Sequence, residues 1–137
     1  MSVSLALNSK SHLEKAIRAD PGDAAYYKWS PGEWAHEAEG AEHFQDISRL
    51  LRREALETKT GEQFSEFRDR VYEVCVRALE KLSADGFISV GNDCVLVFTV
   101  SDADELEREV DWVRRLNGEQ GAREFADRVQ EVLKTAE

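Results

Sequence analysis

Between residues 62 and 83, Phe64, Phe67, Val71, Val74, Ala78 and Leu82 recur every three or four positions, and Cys75 and Leu79 widen the stripe. That spacing predicts an amphipathic helix of about six turns, which must bury one side against something. Asp85-Gly86 ends the helix, and Phe87 to Val90, Gly91-Asn92-Asp93 and Cys94 to Val100 then read as a hairpin. Its second arm, CVLVFTV, is nearly all apolar, so it predicts a central strand covered on both faces.

The flanking segments extend the pattern. Val3, Leu5 and Leu7 alternate with small residues, predicting a short N-terminal strand, and SHLEKAIRA (11–19) predicts a helix closed by Pro21-Gly22-Asp23. Tyr26, Tyr27 and Trp29 have strand propensity. After them Ser30, Pro31 and Glu33 carry the signature of a capping box, predicting a helix from Pro31 to near Gly40. A further helix over 41–57 places Phe44, Ile47, Leu50 and Leu51 together. Beyond the hairpin, Ser101 or Asp102 caps a helix with Leu106, Val110, Val113 and Leu116 buried and Trp112 at the margin. Asn117-Gly118 stops it, and a last helix over about 120–135 buries Ala122, Phe125 and Val129, with Val132 or Leu133. The expected fold is therefore α+β: a single domain over 1–137, with a small three- to four-stranded, mostly antiparallel sheet packed against about five helices.

Charge narrows the partners. The 18 basic and 28 acidic residues leave a net charge of -10, which argues against nucleic acid, since phosphate binding needs a basic footprint. A basic protein partner is the expectation. The surplus is local: residues 84–137 carry six bases and thirteen acids, or -7, against -1 over 1–38 and -2 over 39–83. No stretch of 18 apolar residues or secretory leader occurs, so the reading is cytoplasmic with no membrane partner. Cys75 and Cys94 sit in apolar contexts and read as small hydrophobes, not a disulfide.

Each candidate constellation competes with a structural reading. Asp102 and Asp104 follow an apolar segment where divalent ions often bind, yet acids in a first helical turn already favour the helix dipole, and the glycine of a calcium loop is missing. His36 and His43 are seven apart, with Gly40 where a zinc-protease helix needs its second histidine, and His12 is remote. Glu33, His36 and Glu37 would share a helix face as an acid–base trio, but a cap plus two exposed residues is the favoured reading. Trp29 and Trp34 would line a cleft or simply anchor the helix start. No GxSxG elbow or glycine-rich phosphate loop is present. These readings predict no cofactor, no metal and no catalytic residue.

Five segments, NSKSHLEK (8–15), YYKWSPGEWAHE (26–37), RALEKLSADGFI (77–88), VLVFTVSDAD (95–104) and RRLN (114–117), resemble in order and spacing the bacterial family of domains of unknown function numbered 4303. The chain departs from that pattern at its start, opening at what reads as the second strand, as a truncated or reduced member would. The resemblance implies an immunity-type protein encoded near polymorphic toxins, which binds a cognate toxin domain and is not an enzyme. Glu33, Glu37, Asp102, Asp104, Glu107 and Asp111 are then the expected partner-binding acids. Two other readings stand beside it. One is a small-ligand or metal-dependent enzyme with its site between Trp29–Glu37 and Asp102–Asp104. The other is a self-associating structural module, a homodimer pairing through an exposed sheet edge.

Overall fold

The computed structural model describes residues 2–90, 94–101 and 105–135, apart from the side chains of 131–133 and 135. Its α-helices are α1 (Lys10–Ala19), α2 (Ala24–Trp29), α3 (Ala41–Glu57), α4 (Gly61–Ala84) and α5 (Leu106–Thr135). Short 3₁₀ turns at Pro21–Asp23 and Pro31–Glu33 flank α2. The expected α+β sheet does not form among these residues. Bridge geometry is confined to isolated positions at Leu7, His36 and Cys94, with Leu7 facing His36 in antiparallel sense. Nor is any described helix long and apolar enough to cross a membrane.

Where local signals agree with burial, the helices form as expected. Ser9 caps α1 by accepting from the His12 amide at 3.1 Å, and Thr60 caps α4 by accepting from the Gln63 amide at 3.1 Å. The break expected at Asn117-Gly118 is a kink inside α5. Gly118 has φ 81° and ψ -176°, a region closed to side-chain-bearing residues, so the axis changes direction there.

Along 94–100 the sequence reading is half right. The segment is extended and covered on both faces, but by helices. Leu96, Phe98 and Val100 pack with Tyr72 and Val76 of α4 and Trp112 and Leu116 of α5. Val95 and Val97 point into the second cluster, built on Trp29, Val113 and Phe125. Among the described residues, three of its peptide groups are held by side chains of α5. The Leu96 amide donates to Asn117 Oδ1 at 2.8 Å, and Asn117 Nδ2 donates to the Leu96 carbonyl at 2.7 Å and to the Val113 carbonyl at 3.2 Å. Four positions on, the Val100 amide donates to Glu109 Oε1 at 3.1 Å. Two residues of α5 thus stand in for a strand edge. The turn expected at Gly91-Asn92-Asp93 lies outside the described residues.

Three other expectations are corrected by tertiary contacts. Tyr26 to Trp29 are helical, because Trp29, 1% exposed, is inserted edge-on against Phe125 at 5.8 Å and that burial outweighs strand propensity. The helix expected over 31–40 is reduced to one 3₁₀ turn, since both cap groups are recruited elsewhere. Ser30 Oγ accepts from Arg128, and Glu33 accepts from the Tyr26 hydroxyl at 2.7 Å. Trp34 is then extended, and the chain returns through His36 to Leu7. Helix α4 is rotated from the predicted stripe: Tyr72, Val76 and Leu79 face the core while Val74 is 66% exposed. The rotation is set by α5, whose Trp112 is a central core residue, not a marginal one, in edge contact with Tyr72 at 5.5 Å and Phe98 at 4.8 Å. The apolar face of α3 also stays half open at Ile47 and Leu50.

Substituting Asn117 by Leu should cost about 2–3 kcal/mol by stranding the Leu96 peptide groups in the core, and Gly118→Ala about 1–3 kcal/mol by forcing a side chain into the kink. Denaturant unfolding checks both. Losses below about 0.5 kcal/mol at either position would contradict these roles.

Candidate functional site

The α2 end, the Pro31 turn, the end of the extended segment and α5 converge on a cleft of about 300 Å³. Trp29, Ser30, Pro31 and Gly32 form one wall, Thr99 and Val100 another, and Leu106, Glu109, Phe125 and Arg128 of α5 the third. This is where the sequence placed the small-ligand alternative, between the Trp29–Glu37 corner and the start of the next helix. Asp102 and Asp104, the other half of that expectation, lie outside the described residues.

Glu109 and Arg128 are the cleft's charged groups. Glu109 is only 8% exposed. Its Oε1 accepts from the Thr99 hydroxyl at 2.6 Å and the Val100 amide, and among the described residues no donor is recorded on Oε2. Arg128 lies over the Tyr26 and Phe125 rings, 5.4 Å and 5.9 Å from their centres. Its Nη2 donates to Ser30 Oγ at 2.7 Å, while its buried Nε has no acceptor among the described residues. Burial pushes the guanidinium pKa down, and the charge of Glu109 partly opposes that. The buried indole N–H of Trp29 likewise has no acceptor among the described residues. A guanidinium whose recorded hydrogen bond goes to a neutral hydroxyl is unusual in so acidic a chain.

The acidic run 101–111 is divided by the fold. Glu105 is drawn into the α4–α5 seam, where Arg108 donates to Asp69 at 2.9 Å and to Glu105 at 3.3 Å, and Arg68 approaches Glu105 at 3.5 Å. Asp111 is exposed but paired with Arg114. Glu107 stays exposed, with no partner recorded among the described residues. At the other corner Glu33 is exposed and bound by Tyr26, and Glu37 lies exposed in the turn before Gly40. Gly32 and Leu106, the chain neighbours of Glu33 and Glu107, both line the cleft. The acid–base trio is not assembled, for want of the helix it required. His36 faces Glu39 at 3.7 Å, and His43 lies by Glu42 at 3.5 Å. No group of three or more histidine, cysteine, aspartate or glutamate side chains among the described residues is placed to hold a metal ion. Cys75 and Cys94 are free and half-buried.

Sequence reading passed over Glu109, Asn117 and Arg128. Asn117 looked like a helix stop, and Glu109 was one acid in a run. Arg128 did leave a trace, a cation between Phe125 and Val129 on the stripe expected to be buried.

The seam's second half makes the fold sensitive to acid. Arg115 holds Glu73 at 2.7 Å and Glu80 at 3.0 Å, and with help from Arg77 it lowers the Glu73 carboxyl from its ordinary 4.5 to about 2. A carboxyl pKa depressed by folding adds stability above its unfolded value and loses it as the pH falls through the folded one. Stability should therefore decline from pH 4.5 down to about 2. Arg115→Gln should be less stable at neutral pH, with a shallower decline across that window in thermal unfolding. An equally steep acid limb in the variant would contradict this assignment.

Nothing among curated proteins or solved structures matches the chain. The family model described as a domain of unknown function, DUF4303, matches residues 1–118 of the 137, and the chain belongs to that family.

Proposed function

We propose that this chain is an immunity-type protein, which binds and neutralises a cognate bacterial toxin domain in the cytoplasm through an acidic surface and is not itself an enzyme. The observation that carries the reading is the charge left over after folding. The net charge is -10, the internal seam occupies Asp69, Glu73, Glu80 and Glu105, and Glu33, Glu37, Glu107 and Asp111 remain at the surface. Gly32 and Leu106, next to Glu33 and Glu107 in the chain, line one cleft, and the proposed docking face is the surface around it. A concentrated field of one sign accelerates encounter with an opposite one and is weakened by salt. Asp102 and Asp104, which lie outside the described residues, complete the set of acids proposed to bind the partner. The self-associating module loses its support, because it depended on an open sheet edge and the described residues form no sheet.

The direct test uses a large secreted protein with a variable C-terminal domain encoded beside this chain. Co-expression with that domain should restore growth of the producing cell. Stopped-flow association should slow roughly tenfold or more at low salt when Glu33, Glu107 and Asp111 are reversed to lysine, with a flatter salt dependence. Failure of growth rescue, or an association rate unchanged by the three reversals, would overturn the reading.

A further inference from the structure

The apolar stripe that predicts α4 is not the one the fold buries. Tyr72, Val76 and Leu79 face the core, whereas Phe64, Phe67, Val71, Val74, Ala78 and Leu82 belong to neither cluster. At the angular step of an α-helix the two sets are centred roughly a third of a turn apart, so α4 carries a second apolar face. That face is open: Val74 is 66% exposed, Phe64 and Leu82 are each 39% exposed, and Phe67 and Val71 are half-buried. The helix end prolongs it. Gly86 takes φ 78°, and the Gly86 and Phe87 amides donate to the Ser83 and Leu82 carbonyls at 3.1 Å and 3.0 Å. This Schellman closure brings the residue after the glycine back beside the last turn. Phe87, 77% exposed, therefore extends the face past Leu82.

Contiguous exposed apolar surface marks an interaction site, and here the pattern is complementary to itself. Two α4 helices running antiparallel, about a two-fold axis between Val71 and Val74, would set Phe67 against Ala78, Val71 against Val74 and Phe64 against Leu82. Large then meets small, as helix packing requires, whereas a parallel pair would stack Phe67 on Phe67 and leave Ala78 facing Ala78. Charge selects the same direction. Away from the seam with α5, α4 carries Glu62 and Glu66 in its first half and Arg77 and Lys81 in its second, with Arg70 between them. The antiparallel pair places Glu66 level with Arg77 of the second copy and Glu62 level with Lys81, although Arg77 and Lys81 also bond Glu73 and Asp85 within the chain. A parallel pair would align like charges. Net charge opposes such pairing least here, since residues 39–83 hold only -2 of the chain's -10. The exposed parts of Phe64, Val74, Leu82 and Phe87 amount to about two whole side chains, or roughly 300–400 Å² on the scale of buried aromatics. With Phe67, Val71 and Ala78 added, two copies would bury about 1,000 Å² in all, the lower end of a specific interface.

We propose that a second copy of this chain covers the face, in a two-fold symmetric dimer with its α4 helices antiparallel and Val71 and Val74 at the centre. The interface is a helix face and not a strand edge. It is independent of toxin binding, and either can fail alone.

The test is sedimentation of the full chain over a range of concentrations up to about 1 mM, where even weak pairing registers. A reversible monomer–dimer equilibrium is expected. Val74→Asp should weaken it roughly tenfold or more, because the symmetry buries the carboxylate twice. Leu5→Asp, at an exposed apolar residue elsewhere, should leave it unchanged. Helix direction is read by disulfide trapping: mixed Glu66→Cys and Arg77→Cys chains should cross-link to one another in preference to themselves. If Val74→Asp does not fold, the trapping experiment decides the matter. A strict monomer at about 1 mM, a folded Val74→Asp that dimerises as before, loss of the dimer in Leu5→Asp, or preferential cross-linking of either cysteine variant to itself would overturn the proposal.

Discussion

An extended segment with apolar side chains on both faces must still satisfy its peptide groups, and here α5 does so in place of a sheet. Asn117 is central to that solution. Its amide engages both peptide groups of Leu96, accepting with Oδ1 and donating with Nδ2, which also donates to the Val113 carbonyl. With Glu109 holding Val100 and Thr99, the segment is fixed at two points along one helix. Its side chains then fall alternately into the two clusters. Leu96, Phe98 and Val100 complete the Tyr72–Trp112 side, and Val95 and Val97 complete the Trp29–Phe125 side. The core is thus two aromatic clusters sharing one strand-like wall.

The same attachment builds the cleft. Glu109 is buried because it serves the segment, and it lines the same wall of the cleft as Arg128, which lies over the Tyr26 and Phe125 rings and bonds Ser30. Lys28 bonds Glu124 at 2.8 Å and so ties α2 to the second half of α5. The kink at Gly118 lets the first half of α5 serve the seam with α4 while the second half turns toward α2. Architecture and candidate site therefore share residues, and a change at Glu109 acts on both.

Much of the helical organisation was legible in the sequence, because caps and periodicity are local. The helices over 11–19, 41–57 and 62–83 formed near where their periodicity placed them, and the Asn117-Gly118 break acted where it stands. The covered faces of 94–100 were legible too, since apolarity reports burial. What covers them was not. Alternation cannot distinguish a strand flanked by strands from one flanked by side chains, because both bury the same residues. The Ser30–Glu33 signature misled for a related reason: capping groups are general hydrogen-bonding groups, and Arg128, far away in sequence, claimed Ser30 while Tyr26, one helix back, claimed Glu33. Of the candidate site, the corner at Trp29 was visible as aromatic weight. The roles of Glu109 and Arg128 were not, because each depends on a partner in another element.

Amide hydrogen exchange along 95–100, resolved residue by residue, tests the central claim most directly. If α5 side chains alone hold the segment, the Leu96 and Val100 amides should exchange as slowly as those of the buried turns of α5, while Val97 and Thr99 exchange much faster. Uniform protection from Val95 to Val100, as a strand paired on both edges would give, would contradict the account, as would rapid exchange at Leu96.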